Sequence, residues 1–171
     1  MHQPQPSNAA TTVRTGPDTA RIVVGVDGTP SSVAALRWAA RLAGALDLGI
    51  DAVTVWEYAA RQHSYAISPG GDYPRDDASH RLIEVADAAF GAVRPARLRL
   101  LVHSGHSPIK VLLEASRGAE LLVLGSRGHS GVTGVLLGSV SAACAERADC
   151  PVLVVHEKDG TAFALGGLEG S

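Results

Sequence analysis

Glycine and serine residues in one stretch near the end of the chain have the types and spacing that suit phosphate binding. Five glycines fall within fourteen residues, at positions 125, 128, 131, 134 and 138, and Ser139 follows directly. Glycine lets backbone N–H groups approach a ligand closely, and the start of a following helix offers unpaired N–H groups at the positive end of its dipole. This stretch is the candidate ligand site, and phosphate is the group that it fits best.

The residues after this stretch predict a helix that begins without an acidic residue. Ser139, Val140 and Ser141 form its first turn, where Asp or Glu would normally complement the helix dipole. An external anion could take that role, and the two serine hydroxyls could donate hydrogen bonds to phosphate oxygens. Arg127 or His129 could add positive charge, although either could also face solvent.

Two common nucleotide-binding motifs are absent from the sequence. The glycine stretch lacks the pattern G-x-x-x-x-G-K-[ST], and the only lysines, Lys110 and Lys158, lie outside it, which excludes a P-loop NTPase. The turn after the first predicted strand reads Gly25-Val26-Asp27-Gly28, so it is not the dinucleotide fingerprint G-x-G-x-x-G. Glycine spacing alone does not exclude the alternative that this loop binds no ligand.

Alternating strand and helix patterns surround these residues and must position them. Thr29-Pro30 and Ser107-Pro108 each predict a helix start, as a capping residue followed by proline. Apolar runs predict strands at residues 21–26, 50–56, 97–103, 121–124 and 151–155, and amphipathic runs predict four helices between them. This alternation predicts an α/β fold: an open, doubly wound, Rossmann-like parallel sheet of five strands in the order 3-2-1-4-5.

Asp27 and Gly125 each follow a strand, and the predicted order places these two strands side by side. In an open parallel sheet, ligands bind beyond the C-terminal ends of the strands, where the strand order reverses. The loops after the first and fourth strands should therefore open into one crevice. A carboxylate would then face the glycine-rich stretch.

One folded domain is expected at residues 21–156. Residues 1–20 and 157–171 are expected to form a disordered and a flexible tail, because they lack apolar periodicity. Residues 57–77 form a predicted polar loop, either a lid or, as favoured here, a disordered segment. Helical spacing predicts the buried face of the first helix as Ala35, Trp38, Ala39, Leu42, Ala45 and Leu46.

Composition limits the possible function classes. The chain has 171 residues, 46% of them hydrophobic, and a formal net charge of −2, which suits one globular domain. Aromatic residues make up 4% and no basic patch is present, so nucleic acid is not expected as a partner. No signal peptide is recognised and no run reaches the roughly 20 apolar residues that span a bilayer, so we expect a cytoplasmic protein without a membrane partner.

Cysteine and histidine predict neither a disulfide framework nor a metal site. Cys144 and Cys150 are the only cysteines, and both are expected to be reduced thiols in or near the core. His103 and His106 flank a glycine in a predicted loop, without a nearby carboxylate or cysteine to complete a site. No residue is assigned to bind a metal directly.

The spacing Gly125-x2-Gly128-x9-Gly138-Ser139 resembles the nucleotide-binding signature of the universal stress protein family, in its ATP-binding branch. Other segments also resemble family positions and extend the match to about residues 21–156. They are Val-Gly-Val-Asp27-Gly, Val53-Thr-Val-Trp56, Val102-x-x-Gly105-x-x-Pro108, Leu-Leu-Gly138-Ser-Val-Ser and Cys150-Pro-Val-Leu-Val-Val. The resemblance implies a nucleotide-dependent sensor or regulator in the stress response, with a regulatory protein partner that the sequence does not identify.

The resemblance also implies a role for each matching residue. Asp27, with Gly25 and Val26 before it, would lie at the ribose and phosphate side, the backbone of Val55 would meet adenine, and Gly125 would contact ribose. The remaining positions would bind the phosphates, with Gly128 and Gly138 acting through backbone N–H groups: Arg127, Gly128, Gly138, Ser139, Val140 and Ser141. Mg²⁺ would bridge the phosphates, with few protein ligands of its own.

Little or no hydrolysis of ATP is expected, because the glycine stretch offers no lysine and the site no carboxylate beyond Asp27 to position an attacking group. Two alternatives stay open. One is a slow ATPase or nucleotide-transferring enzyme of the same fold, since a fold does not determine a function. The other is a protein-interaction module whose nucleotide site is vestigial.

The last predicted strand indicates how the protein assembles. Val152, Leu153, Val154 and Val155 make it apolar on both faces, although the predicted order places it at the edge of the sheet. An exposed apolar edge favours pairing with another strand. We expect a homodimer in which two copies of this strand meet antiparallel, as the family resemblance also implies.

Overall fold

A computed structural model describes residues 20–56, 73–126 and 137–157 of the chain. Within these ranges, five strands alternate with four helices, as predicted. The elements are β1 (Arg21–Gly25), α1 (Pro30–Leu46), β2 (Gly49–Trp56), α2 (Tyr73–Phe90), β3 (Leu98–Ser104), α3 (Pro108–Ala115), β4 (Leu121–Gly125), α4 (Ser139–Arg147) and β5 (Val152–Val155).

The five strands form one parallel sheet in the order β3-β2-β1-β4-β5. The predicted α/β class and the order 3-2-1-4-5 are confirmed. β1 and β4 are direct neighbours, with Ile22 opposite Leu121 and Val24 opposite Val123. From β1 the chain proceeds to β2 and β3 on one side and later to β4 and β5 on the other, so the strand order reverses between β1 and β4.

Helices cover the sheet on both faces because side chains alternate between the faces along each strand. α1 and α2 pack on the face that carries Ile22, Val24 and Ile50. α3 and α4 pack on the face that carries Val23 and Leu122. No helix in the described ranges is both long enough and apolar enough to cross a bilayer.

The predicted loop at residues 57–77 is wrong at its C-terminal end. α2 begins at Tyr73, so the last five residues of that loop are helical. Pro74 and Asp76 in the first turn are residue types that favour a helix start. The rest of the predicted loop, and the tail residues 1–19 and 158–171, lie outside the described residues.

The buried face of α1 differs in part from the predicted one. Ala35, Trp38, Ala39 and Leu42 contribute to the core as predicted, but Ala45 is exposed and Leu46 is 62% exposed. The chain turns directly after Leu46, at Asp47 with φ 56°, and residues 44–46 at the end of the helix are exposed. Leu36 and Ala43 are buried in place of the two mispredicted residues.

A buried carboxylate links three neighbouring strands. Asp51 on β2 accepts two hydrogen bonds of 2.6 Å from Arg99 on β3, and Arg21 on β1 lies 3.2 Å from the same carboxylate. The hydrogen bond to Asp51 raises the pKa of the Arg99 guanidinium, although burial opposes this. The burial of Asp51 is compatible with the fold because both arginines compensate its charge.

Candidate functional site

The C-terminal ends of β1 and β4 lie side by side, because these two strands pair directly. Asp27 follows β1 closely, and Ser126 follows β4. α1 and α4 both begin at this edge of the sheet, since each helix starts where its preceding parallel strand ends. Two helix N-termini therefore flank the point where the strand order reverses.

The N-terminus of α1 is capped by side chains of its own turn. Thr29 is the capping residue, and its Oγ1 accepts a hydrogen bond from the Ser32 N–H at 3.4 Å. The Thr29 N–H and hydroxyl both donate to Asp27 Oδ1, at 3.0 and 2.6 Å. Asp27 thus stabilises the turn into α1 and also places a negative charge beside the positive end of that helix.

The N-terminus of α4 has no side-chain cap and no acidic residue in its first turn. Its capping residue is Gly138, whose C=O accepts the first intrahelical bond, from the Ala142 N–H at 2.9 Å. The N–H groups of Ser139, Val140 and Ser141 precede that bond, and no described residue accepts from them. Three N–H donors at the positive end of a helix dipole are suited to bind an anion.

Two hydrogen bonds attach this N-terminus to the end of β4. The Ser141 hydroxyl donates to the Gly125 C=O at 2.6 Å, and the Gly138 N–H donates to the Ser126 C=O at 2.7 Å. Both donors were predicted from the sequence to bind phosphate. In the structure both are already used within the protein, so the main-chain N–H groups of residues 139–141 are the donors that stay available.

Gly125 allows α1 to lie directly against the end of β4. A Cβ atom at this position would lie 2.6 Å from Ser31 Oγ and 2.9 Å from the Ser31 carbonyl carbon, too close for a real contact. Ser31 Oγ in turn lies 3.0 Å from Thr29 Oγ1. A continuous path of contacts therefore runs from Asp27 through Thr29, Ser31 and Gly125 to Ser141, and it joins the two helix starts.

The end of β2 presents main-chain groups to the same edge. The Val53 C=O accepts from the Val26 N–H on the β1 side at 2.8 Å, and the Trp56 C=O accepts from the Gly105 N–H on the β3 side at 3.1 Å. Because main-chain groups point alternately to the two neighbouring strands, the N–H and C=O of Val55 point to the β1 side. The β1–β2 pairing ends at Val53, so one donor and one acceptor remain there, unbonded by any described residue.

The other predicted site residues fall into two groups. Gly25 and Val26 pack into the protein: a Cβ on Gly25 would lie 2.5 Å from Leu124 Cδ2, and Val26 is buried. Arg127 and Gly128 lie outside the described residues. The structure thus places near one edge the predicted residues Asp27, Val55, Gly125, Gly138, Ser139, Val140 and Ser141.

Sequence reasoning missed three contacts that shape this edge. The spacing Asp27-x-Thr29 is typical of an Asx turn, so the hydrogen bond between the two residues could have been predicted. The close approach of Ser31 to Gly125 and the main-chain role of Ser126 have no such signal, because they depend on how distant segments pack.

Cys144 attaches the body of α4 to the sheet and is fully buried. Burial raises the pKa of its thiol, while the positive charge of Arg147 acts in the opposite direction. The thiol is therefore neutral at pH 7 and packs as a small apolar group. Among the residues that the structure describes, no three His, Cys, Asp or Glu side chains form a group that could hold a metal ion.

A comparison with models of known protein families identifies the family of this chain. Residues 19–156 match the model of the universal stress protein family. The chain belongs to the universal stress protein family. The resemblance recognised in its glycine spacing and flanking segments is confirmed.

Mycobacterial universal stress proteins are among its relatives. Universal stress proteins Rv2005c and Rv2623 of Mycobacterium tuberculosis are each 34% identical to it, over 167 and 163 residues. Each alignment covers 88% of this chain and 54% of the relative. The chain therefore spans about half the length of the curated relatives it matches.

Solved structures of universal stress proteins share its fold. A universal stress protein crystallised in complex with cAMP is 29% identical, with a TM-score of 0.61, and the match covers 81% of this chain and 98% of that one. The universal stress protein from Archaeoglobus fulgidus in complex with dAMP is 18% identical, with a TM-score of 0.57 and coverage of 80% and 97%. At 18% identity the second likeness shows the fold alone.

Proposed function

We propose that this universal stress protein binds ATP at the C-terminal edge of its sheet and acts as a nucleotide-dependent sensor or regulator in the stress response, with little or no hydrolysis. The observation that carries the proposal is the uncapped N-terminus of α4, with three N–H donors beside the reversal of strand order. The related universal stress protein with bound cAMP supports a nucleotide as the ligand.

The phosphates would bind at the first turn of α4. Its donors are the N–H groups of Ser139, Val140 and Ser141 together with the exposed Ser139 side chain, a set that fits an anion. The family resemblance adds Arg127 and Gly128 from the preceding connection. Mg²⁺ would be bound through the phosphates, which is common for an ion that retains most of its water ligands.

The base and the sugar would bind nearer to β1 and β2. Val55 offers one N–H and one C=O, and adenine offers an acceptor nitrogen beside its amino donor, which complements this pair. Ribose would lie between Asp27 and Gly125, whose strands are neighbours. These assignments support adenine over a ligand that consists of phosphate alone.

Slow or absent hydrolysis is expected because the site lacks a group to position the attacking water. The glycine stretch at residues 125–138 has no lysine and no carboxylate, and Asp27 is assigned to the ribose and phosphate side. Phosphoryl transfer needs such a positioning group in addition to cations, which Arg127 and Mg²⁺ would supply here. We expect that the purified protein releases no more than traces of phosphate from ATP over hours.

The first experiment asks whether the protein carries or binds an adenine nucleotide. The purified protein is denatured and the released small molecules are identified by mass spectrometry, and the emptied protein is then titrated with ATP and Mg²⁺ by calorimetry. The absence of both a released nucleotide and measurable ATP binding would reject the proposal.

Ser139 allows a sharper test of the α4 donors. Ser139→Pro removes its N–H at the first helical position, where proline is well tolerated, and the preceding Gly138 has φ −66° and ψ 154°, which a following proline accepts. Ser139→Ala removes only the hydroxyl. We expect the proline variant to bind ATP at least about tenfold more weakly than the alanine variant, because hydrogen bonds to charged groups contribute about 1.5–3 kcal/mol.

We further propose that the protein forms a homodimer through β5, whose residues 152–154 are only half-buried at the edge of the sheet. The Ser126 N–H donates to the Val155 C=O, so Val155 faces β4 and the main-chain groups of Val154 point outward. Val154→Pro would remove an outward N–H and leave the β4–β5 pairing intact. A dimeric mass for the unmodified protein at micromolar concentration and a monomeric one for the variant are expected; a monomeric unmodified protein would contradict the proposal.

A further inference from the structure

Ser141 differs from the other residues in the first turn of α4 because its side chain points into the protein. It is 5% exposed, and its hydroxyl donates to the Gly125 C=O at 2.6 Å. A serine hydroxyl has a single proton to donate. While that proton is bonded to Gly125, the hydroxyl cannot also donate to a phosphate oxygen.

The carbonyl that accepts this bond belongs to a tightly packed residue. Gly125 has Ser31 of α1 pressed against its Cα, at a distance that leaves no room for a side chain. The next residue, Ser126, accepts the Gly138 N–H. The end of β4 is therefore in direct contact with the start of α1 and bonded twice to the start of α4.

We propose that Ser141 is a positioning residue that acts through Gly125: its hydroxyl holds the N-terminus of α4 in place before the nucleotide arrives and does not itself contact phosphate. The proposal rests on the proposed nucleotide site. Because Gly125 is assigned to the ribose and α4 to the phosphates, this hydrogen bond, together with the bond from the Gly138 N–H to the Ser126 C=O, fixes the distance between the two halves of that site. Its loss should weaken a nucleotide, which spans both halves, and leave a nucleoside, which does not reach α4, unchanged.

The test compares Ser141→Ala with Ser141→Thr, which restores the hydroxyl, and with Ser116→Ala as a matched control. Ser116 is 1% exposed, and its hydroxyl donates to the Leu113 C=O at 3.0 Å at the end of α3, on the opposite edge of the sheet. Both alanine variants lose one buried hydroxyl-to-carbonyl bond. They should therefore have similar stability and differ only in what the bond positions.

Adenosine and ATP with Mg²⁺ are each titrated into the full-length variants. We expect Ser141→Ala to weaken ATP about fivefold, as for one neutral hydrogen bond, and to leave adenosine unchanged. We expect Ser141→Thr to restore the ATP affinity and Ser116→Ala to leave both affinities unchanged. Equal weakening of adenosine and ATP in Ser141→Ala would show that the hydroxyl acts on the ribose side alone, and equal weakening of ATP in Ser116→Ala would show a general effect of stability; either result would overturn the proposal.

Amide hydrogen exchange in the nucleotide-free protein separates this proposal from the proposed function. The Gly138 and Ala142 amides are bonded at the start of α4, and we expect both to exchange faster in Ser141→Ala but not in Ser116→Ala. Unchanged exchange in Ser141→Ala would overturn the positioning role. If the unmodified protein binds neither adenosine nor ATP, the proposed function fails, while the exchange rates still decide whether Ser141 holds α4.

Discussion

The starts of α1 and α4 lie at the same edge of the sheet, but only the start of α1 is capped by side chains of the protein. At α1, Thr29 caps the helix and the Asp27 carboxylate accepts from Thr29, so a negative charge of the protein already complements the dipole. At α4, glycine is the capping residue, the first turn lacks an acid, and three N–H groups have no described acceptor. Of the two starts, the described residues therefore leave main-chain donors for the proposed nucleotide only at α4.

The difference also separates two kinds of binding group at this edge. Asp27 would repel phosphate and is suited to accept hydrogen bonds from sugar hydroxyls, whereas the start of α4 attracts phosphate and offers only donors through its main chain. The contacts of Gly125 with Ser31 and Ser141 hold the two starts at a set separation. A nucleotide, with a sugar and an anion joined covalently, matches this arrangement better than either part alone.

The largest expected effect is a loss of ATP affinity when the start of α4 is given a negative charge, as the start of α1 already has. Ser139→Asp places a carboxylate in the first turn of α4, at an exposed position that tolerates it. We expect ATP binding to weaken at least about a hundredfold, because like charges about 4 Å apart near a protein surface repel by about 4 kcal/mol. The same charge should raise the free energy of unfolding by about 0.3–1 kcal/mol through the helix dipole.

Ser139→Asn is the matched control, since it has the same size and no charge. Calorimetric titration with ATP and chemical denaturation are carried out on both variants. If Ser139→Asp binds ATP as well as Ser139→Asn does, the start of α4 is not where the phosphates lie, and the contrast with α1 has no functional meaning.

A smaller effect, on the free energy of unfolding, is expected when a side chain at position 125 forces the starts of α1 and α4 apart. In Gly125→Ala the added methyl would lie within 3 Å of both Oγ and the main chain of Ser31, so α1 or β4 must move. We expect a loss of about 1–3 kcal/mol in the free energy of unfolding, as for overpacked sites. Gly25→Ala should cost less, because its nearest neighbour is a methyl group of Leu124, which can rotate away. Urea denaturation of both variants checks this order, and equal losses would contradict it.

Much of this site could be predicted from the sequence because its signals are local. Thr29-Pro30 and Ser107-Pro108 predicted two capped helices, and the sequence after Gly138 predicted a helix whose first turn has no acid to complement its dipole. The direction of the Ser141 hydroxyl could not be predicted, since it depends on Gly125, sixteen positions away along the chain. Local pattern likewise gave no sign that Asp51 would be buried, because its partners lie on the neighbouring strands.

The cap of α1 can be tested by separating the charge of Asp27 from its hydrogen-bonding oxygen. Asp27→Asn keeps an Oδ1 that accepts from the Thr29 N–H and hydroxyl, whereas Asp27→Ala removes it. We expect the alanine variant to be about 1 kcal/mol less stable than the asparagine variant, as for the loss of a helix cap. Equal stability of the two variants in thermal or chemical denaturation would show that the Oδ1 acceptor at position 27 does not support the start of α1.

The smallest expected effect concerns how α4 is held despite its open start, and it depends on pH. Burial raises the pKa of the Cys144 thiol, so well below about pH 8.5, the usual pKa of a free thiol, it is neutral in both the folded and the unfolded chain and contributes no pH dependence. As the pH rises through that value, the unfolded chain loses the proton more readily than the folded chain, which favours unfolding. The free energy of unfolding should therefore fall more between pH 8 and pH 9 in the unmodified protein than in Cys144→Ala, by at most about 0.7 kcal/mol. Denaturation curves at the two pH values measure this difference, and an equal decrease in both proteins would show that the thiol of α4 is not held in an apolar environment.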